Sequence, residues 1–147
     1  EIRPISQRQR MTVVEADNKL IITGPVKGVS DLISPLRTWL KSKAILFLQP
    51  QLDILVSHTG LEYRSVSWRF QRTRWGSCSD QKRISLNAKL LLLSDDQIRY
   101  VMLHELCHTR HMNHGLKFWR LLESHYPQAK LQDRILSQTQ LTQLSFL

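Results

Sequence analysis

Apolar and polar residues alternate around Asp17-Asn18, with Val13-Val14 before that pair and Leu20-Ile21-Ile22 after it, ahead of Gly24-Pro25. This pattern predicts a short hairpin over 11–24 turning at Asp17-Asn18. The period then lengthens. Ser30 is placed to cap a helix, with Asp31 in the first turn and Pro35 near the start. Leu32, Leu36, Trp39, Leu40, Ile45 and Leu48 recur at helical intervals. Pro50 is expected to kink or interrupt this run, because proline lacks the N–H and its ring crowds the preceding turn. A second helical piece, Leu52 to Val56, should end near Gly60. The whole section over 30–58 is expected to cover one face of a sheet. It offers no chemistry, and His58 reads as a solvent-facing residue near a helix end.

From residue 63 the period shortens to two. Val66, Trp68 and Phe70 share one face, opposite Ser65, Ser67 and Arg69, as in a half-buried strand. Thr73 to Ser79 forms a second strand interrupted by Gly76, which marks a bulge or a close backbone approach. Asp80-Gln81 makes a turn, and Arg83–Asn87 returns as a third strand. The expectation for 62–87 is therefore an antiparallel meander, followed by a buried apolar linker over Lys89–Leu93.

Ser94-Asp95-Asp96-Gln97 is a capping box, with two aspartates suited to the positive end of a helix dipole. At about 100° per residue, Ile98, Met102 and Leu106 line one stripe with Val101 beside it, and His104 and His108 fall opposite. From Val101 to Cys107 the polar side chains are His104 and Glu105 alone. A helix apolar nearly all round is buried, and buried ionisable groups need partners.

His104-Glu105-Leu106-Cys107-His108 supplies one. Histidines four apart stand one turn above each other and can turn two imidazoles on one metal ion. Glu105 leans from the same face, in reach of a water on that ion. His114, six residues on, is the candidate third ligand. Asn113 and Gly115 are the residues best able to take left-handed backbone angles that would redirect it. Three protein ligands leave one position open, the arrangement of a catalytic zinc site. By chance H-E-x-x-H recurs in roughly one window in 8,000, so its surroundings matter more than the match. Glu123 is a rival third ligand, and Cys107 a poorly directed fourth. Leu116 to Leu122 begins another helix that stops before Pro127, its aromatics packing under the site. A last amphipathic helix runs from Gln128 to about Leu144.

With 147 residues and 41% hydrophobic content, the chain has enough material for a core, and it is read as a single domain over 1–147. No run approaches the roughly 20 apolar residues of a membrane span, so no membrane partner is expected. Two cysteines, Cys78 and Cys107, make no disulfide framework. A reducing, cytoplasmic setting fits, with no layout of a secretory signal. Charge changes the picture more. A net charge of +9 and a pI near 10.1 favour anionic partners, nucleotide or nucleic acid. Arg64, Arg69, Arg72, Arg74, Lys82, Arg83 and Lys89 crowd the strand region, opposed by Asp80, and Arg3, Arg8 and Arg10 add to them.

The series Arg72-Thr73-Arg74-Trp75-Gly76-Ser77-Cys78-Ser79, Ile84-Ser85-Leu86-Asn87, His104 to His108, Met112-Asn113-His114 and Phe118-Trp119 resembles the YgjP-like metallopeptidase family. It is also similar to the related WLM and SprT-like groups, some of whose members are DNA-dependent proteases. The resemblance covers residues 60–127 most strongly. It implies an α+β, zincin-like domain in which a small twisted antiparallel sheet packs on the H-E-x-x-H helix. Metzincins have glycine three residues after the second histidine. Here that residue is His111, read as a helix-end residue or a substrate-facing one, and no later Met-turn follows.

The expectation that results is a metallopeptidase. One Zn²⁺, or another divalent transition metal, sits on His104, His108 and His114, with Glu105 as general base. Arg72, Arg74, Trp75, Gly76, Asn87 and His111 are the candidate substrate contacts, an extended peptide adding to a strand near Trp75-Gly76-Ser77 or Ile84–Asn87. A nucleoside triphosphate pyrophosphohydrolase is the alternative, with Arg72, Arg74 and Arg83 as forked phosphate donors. A nucleic-acid-binding module with a structural metal is the third.

Overall fold

Asp17 and Asn18 both adopt positive φ, 50° and 58°, and the chain reverses there between β1 (Thr12–Ala16) and β2 (Lys19–Thr23). Two consecutive left-handed residues give the tight turn whose twist matches paired strands, and Asp and Asn are among the few side chains that tolerate it. The strands pair antiparallel with Val14 opposite Ile21, as the alternation predicts. The structure is a computed structural model, and it describes residues 11–139 and 141. Arg3, Arg8, Arg10 and the helix end expected at Leu144 lie outside the described residues.

The chain divides into two compact units, Glu1–Trp39 and Leu40–Leu147. The first holds the hairpin and the opening turns of α1 (Val29–Thr59). Ser30 lies inside the first turn of that helix rather than before it. Asp31 does the capping, its carboxylate accepting from the backbone N–H of Lys27 and of Gly28 at 2.8 and 3.2 Å.

In the second unit α1 continues unbroken through Pro50, contrary to the expected interruption. Leu40, Ala44, Leu48, Leu52 and Leu55 are buried on both sides of the proline in one stripe. Packing of that stripe outweighs the local cost of a proline inside a helix, its lost hydrogen bond and ring clash together about 3 kcal/mol. Gly60, at φ 67°, ends the helix and returns its N–H to Val56. Gln49 ties the helix to the strand region, donating to Tyr63 and accepting from the Trp68 indole.

The strands β3 (Ser65–Arg69), β4 (Gly76–Cys78) and β5 (Arg83–Asn87) form one sheet, but not a meander. Their order is β3-β5-β4, with β5 antiparallel to β4 and parallel to β3. The fully apolar inward pair of β5, Ile84 and Leu86, takes the central slot, where both are buried. The route past it is held by Asn87. Its Nδ2 donates to the carbonyls of Gln71 and Arg74 at 2.9 and 3.1 Å, so the segment after β3 crosses the end of β5 before β4 begins.

A short 3₁₀ turn, Ala88–Leu92, follows. Ala88, Lys89 and Leu90 are buried as expected of the linker, whereas Leu92 is half exposed. Next come α2 (Asp95–His108), α3 (Leu116–His125) and α4 (Ala129–Gln138). α2 packs on β4 and β5 and against α3 and α4. No helix among the described residues is long and apolar enough to cross a membrane.

Candidate metal centre

Ser94 caps α2 through the full capping box with Gln97, fixing where the helix starts and which residues face inward. Ile98, Tyr100, Val101, Met102, Leu103, Leu106 and Cys107 are buried, and so are Glu105 and His108. The helix ends at His108, earlier than the Asn113 to Gly115 exit expected. Thr109 closes it, Oγ1 donating to the Leu106 carbonyl at 2.7 Å, while the N–H groups of Arg110 and His111 both reach Cys107. The positive-φ positions among the described residues are Asp17, Asn18, Gly24, Gly60 and Lys82, so neither Asn113 nor Gly115 turns the chain. The His108 ring and the His111 carbonyl lock the loop instead, Nδ1 donating to that oxygen at 3.0 Å.

That loop delivers His114 to the other two histidines. The three Nε2 atoms lie 2.9, 3.0 and 3.1 Å apart. Around a tetrahedral ion with Zn–N of 2.0–2.1 Å, ligand nitrogens are about 3.3 Å apart, so outward shifts of a few tenths of an ångström complete the fit. The donor chemistry fits too. His108 Nδ1 faces a carbonyl, which only accepts, so its proton sits on Nδ1 and Nε2 is a bare lone pair. Phe118 of α3 forms the floor, stacked on His108 at 4.6 Å and edge-on to His104 and His114 at 4.9 and 4.8 Å.

Burial holds His104 neutral, moving its pKa down to about 3, with His108 and His114 adding to the effect. Burial also lowers His108. Glu105 moves the other way, up to about 8, because its carboxyl is desolvated; Arg74 opposes that shift. Its Oε2 is buried with no hydrogen-bond partner. An orphaned carboxylate oxygen beside three converging imidazoles is an acceptor waiting for a donor.

Gly76 makes room for it. A Cβ there would lie 2.7 Å from Cγ and Oε1 of Glu105, which is the close approach anticipated for this glycine. Arg74, Gly76, Ser77, Cys78 and Met112 line one side of the cleft that exposes the three histidines and Glu105. Trp75 lines an adjoining cavity of about 270 Å³ that also touches His104, Glu105 and His114. Arg72 lies farther out, in a hollow with Trp75 and Asp133.

The other candidates are not brought to the cleft. Asn87 has no exposed surface, and its side chain is spent on the backbone of Gln71, Arg74 and Lys89. His111 enters through its carbonyl rather than its imidazole. Glu123 pairs with Lys130 at 3.3 Å and is outside the three-histidine group. Cys107 is buried and also outside it.

Two residues were missed. The Tyr100 hydroxyl contacts His104 Nδ1 at 3.1 Å and donates to Asp133 at 2.7 Å. Tyr100 was within reach of sequence reasoning, being one helical turn before His104. Asp133, on a separate helix, left no such signal.

The family described as YgjP-like, metallopeptidase domain, matches residues 1–139. No curated protein matches the chain. Among solved structures, the chain is similar to the metallopeptidase zymogen abylysin of Pyrococcus abyssi. Identity is 26% and the TM-score 0.56, over 64% of this chain and 96% of that one. The fold is shared with the metallopeptidase zymogen jannalysin of Methanocaldococcus jannaschii, at 20% identity and a TM-score of 0.53, over 61% and 93%. The α+β, zincin-like class expected from the sequence is the class observed.

Proposed function

Since this chain belongs to the YgjP-like metallopeptidase family, we propose that it is a zinc peptidase holding the ion on His104, His108 and His114, with Glu105 as general base. One observation carries the reading: three imidazole Nε2 atoms converge beside a buried glutamate whose Oε2 has no partner. Zinc held there supplies Lewis acidity, which polarises a carbonyl and makes water nucleophilic at neutral pH. The chain does the rest. Glu105 accepts the proton of the attacking water at Oε2 and later returns it to the leaving amine. In the metal-free chain burial raises the proton affinity of Glu105 above that of an exposed glutamate, and the Arg74 charge opposes that rise.

An extended polypeptide suits the entrance. β4 is an edge strand of the sheet order, and its Gly76 lies against Glu105. A peptide pairing with that edge would run its backbone past the histidines. Arg74 in the same cleft favours a second reading, a phosphoanhydride substrate, because a guanidinium is a forked phosphate donor.

The test is a comparison of zinc-loaded wild type and Glu105→Gln on an unstructured protein, on nucleoside triphosphates and on DNA. The variant should keep stoichiometric zinc and lose protein cleavage. Undiminished cleavage removes Glu105 from the mechanism. Triphosphate hydrolysis without proteolysis selects the second reading. DNA binding without turnover, falling steeply with salt, restores the nucleic-acid module.

A further inference from the structure

His108 and His104 are oriented by different means. The Nδ1 of His108 is held by a backbone carbonyl, that of His111, which no side-chain change removes. The Nδ1 of His104 is held by side chains alone. We propose that Asp133 and Tyr100 form a two-step hydrogen-bond relay that sets the tautomer and direction of His104, making both of them positioning residues for the metal. The inference rests on the three-histidine reading of the site.

The direction of each bond follows from what the groups can do. The Asp133 carboxylate only accepts, so the Tyr100 hydroxyl spends its one proton there, at 2.7 Å. The phenol oxygen then has lone pairs left, and the atom facing it at 3.1 Å is His104 Nδ1. That nitrogen must carry the proton. Nε2 is therefore bare, pointing at the Nε2 atoms of His108 and His114. Tyr100 is buried, and its ring meets that of His104 edge-on at 5.6 Å, which fixes where the hydroxyl sits. The anchoring carboxylate lies 33 residues along the chain on α4. The last described helix thus reaches the centre through one phenol.

Asp133 also borders the cavity lined by Trp75, Tyr100 and Leu136, so a direct substrate contact is the competing role. That role would change KM and leave zinc binding alone. The relay does the opposite.

Full-length wild type, Tyr100→Phe, Asp133→Leu, Asp133→Asn and the Tyr100→Phe/Asp133→Leu double variant are titrated with zinc against a competing chelator. Loss of an outer partner of a ligating histidine costs about 10- to 100-fold in affinity. Tyr100→Phe and Asp133→Leu should each weaken zinc by that factor. The double variant should be no worse than either single one, since the two act in series. Asp133→Asn keeps an acceptor for the hydroxyl and should restore most of the loss. Imidazole ¹⁵N spectra of metal-free protein give a second readout. Wild type should show His104 protonated at Nδ1, and Tyr100→Phe a mixture of tautomers.

Zinc affinity unchanged in a folded Tyr100→Phe, or additive losses in the double variant, overturns the relay. Should Tyr100→Phe not fold, Asp133→Leu and Asp133→Asn carry the same comparison. A wild type that takes up no zinc yet shows the Nδ1–H tautomer of His104 sinks the metal reading, and with it the positioning role for a metal, while the hydrogen-bond relay to His104 itself stands. Stoichiometric zinc with an Nε2–H tautomer in the metal-free wild type does the reverse.

Discussion

Gly76 and Glu105 occupy almost the same space: a methyl group on the glycine would stand 2.7 Å from the glutamate's Cγ and its Oε1. The register explains the meeting. Gly76 is opposite Leu86 in the antiparallel pair, on the face where Ile84 and Leu86 are buried, and α2 packs on β4 and β5. A side chain at this position would displace the carboxylate from where it now lies.

Gly76→Ala should therefore separate catalysis from metal binding. The three histidines do not depend on Gly76, so zinc stoichiometry should be kept. If Glu105 is the general base proposed above, a displacement of about 1 Å there should cost about 10²-fold in kcat/KM. Zinc titration together with cleavage of an unstructured protein checks this. Wild-type turnover in the variant would show that the glutamate is not positioned by the strand.

The metal-free protein should have a stability maximum on the acid side of neutrality. Glu105 has a folded pKa of about 8, raised above its unfolded value of about 4.3. Its contribution is fully present below the unfolded value and lost as pH rises toward 8. His104 has a folded pKa of about 3, below its unfolded value, so its contribution is lost as pH falls from about 6.5. Glu105→Gln should flatten the alkaline limb, gaining about 4 kcal/mol at pH 7.5 in chelator-treated protein. Thermal melts of both proteins between pH 4 and 9 measure it. Parallel curves would contradict the sign.

Asn87→Ala should act on folding rather than on substrate. It strips hydrogen bonds from the carbonyls of Gln71 and Arg74 and from the N–H of Lys89. Leaving such groups unpaired costs about 2–4 kcal/mol. Urea unfolding should show the loss, while KM well below the melting temperature stays near wild type. A large rise in KM without loss of stability would return Asn87 to the substrate contacts.

Cys78 borders the cleft, yet it should be a slow nucleophile. Burial, and the negative charge of Glu105 after it, push its thiol pKa up to about 11. At pH 8 it holds about a hundredfold less thiolate than an ordinary thiol. Alkylation by iodoacetamide, read by mass spectrometry, should lag a model thiol accordingly and speed up toward pH 11. Modification at the model rate at pH 8 would refute the shift.

Much of the centre is written locally. The capping box, the four-residue step between His104 and His108, and the apolar surround of α2 are all short-range patterns, and a helix turns them into geometry directly. The hairpin turn at Asp17-Asn18 is equally local, since it needs residues tolerant of positive φ. Gly76 could be recognised as a close-approach glycine, though not what approached it. Pro50 shows where such reasoning fails. Local preference argues for a break, and the buried stripe Leu48, Leu52 and Leu55 overrides it.

The sequence alone determined the chemistry on offer: an H-E-x-x-H helix, a third histidine six residues on, and a glycine in the strand that faces them. Only the tertiary structure decided how these are used. Insertion of β5 between β3 and β4 makes β4 an edge beside Glu105, and Asn87 serves the crossing that permits it. α4 brings Asp133 to Tyr100, and the His111 carbonyl rather than its ring steadies His108. The physical reason is common to all of these. Strand order, helix docking and the aim of a carbonyl are contacts between segments far apart in the chain or set by loop geometry, and no periodicity in a single stretch encodes them.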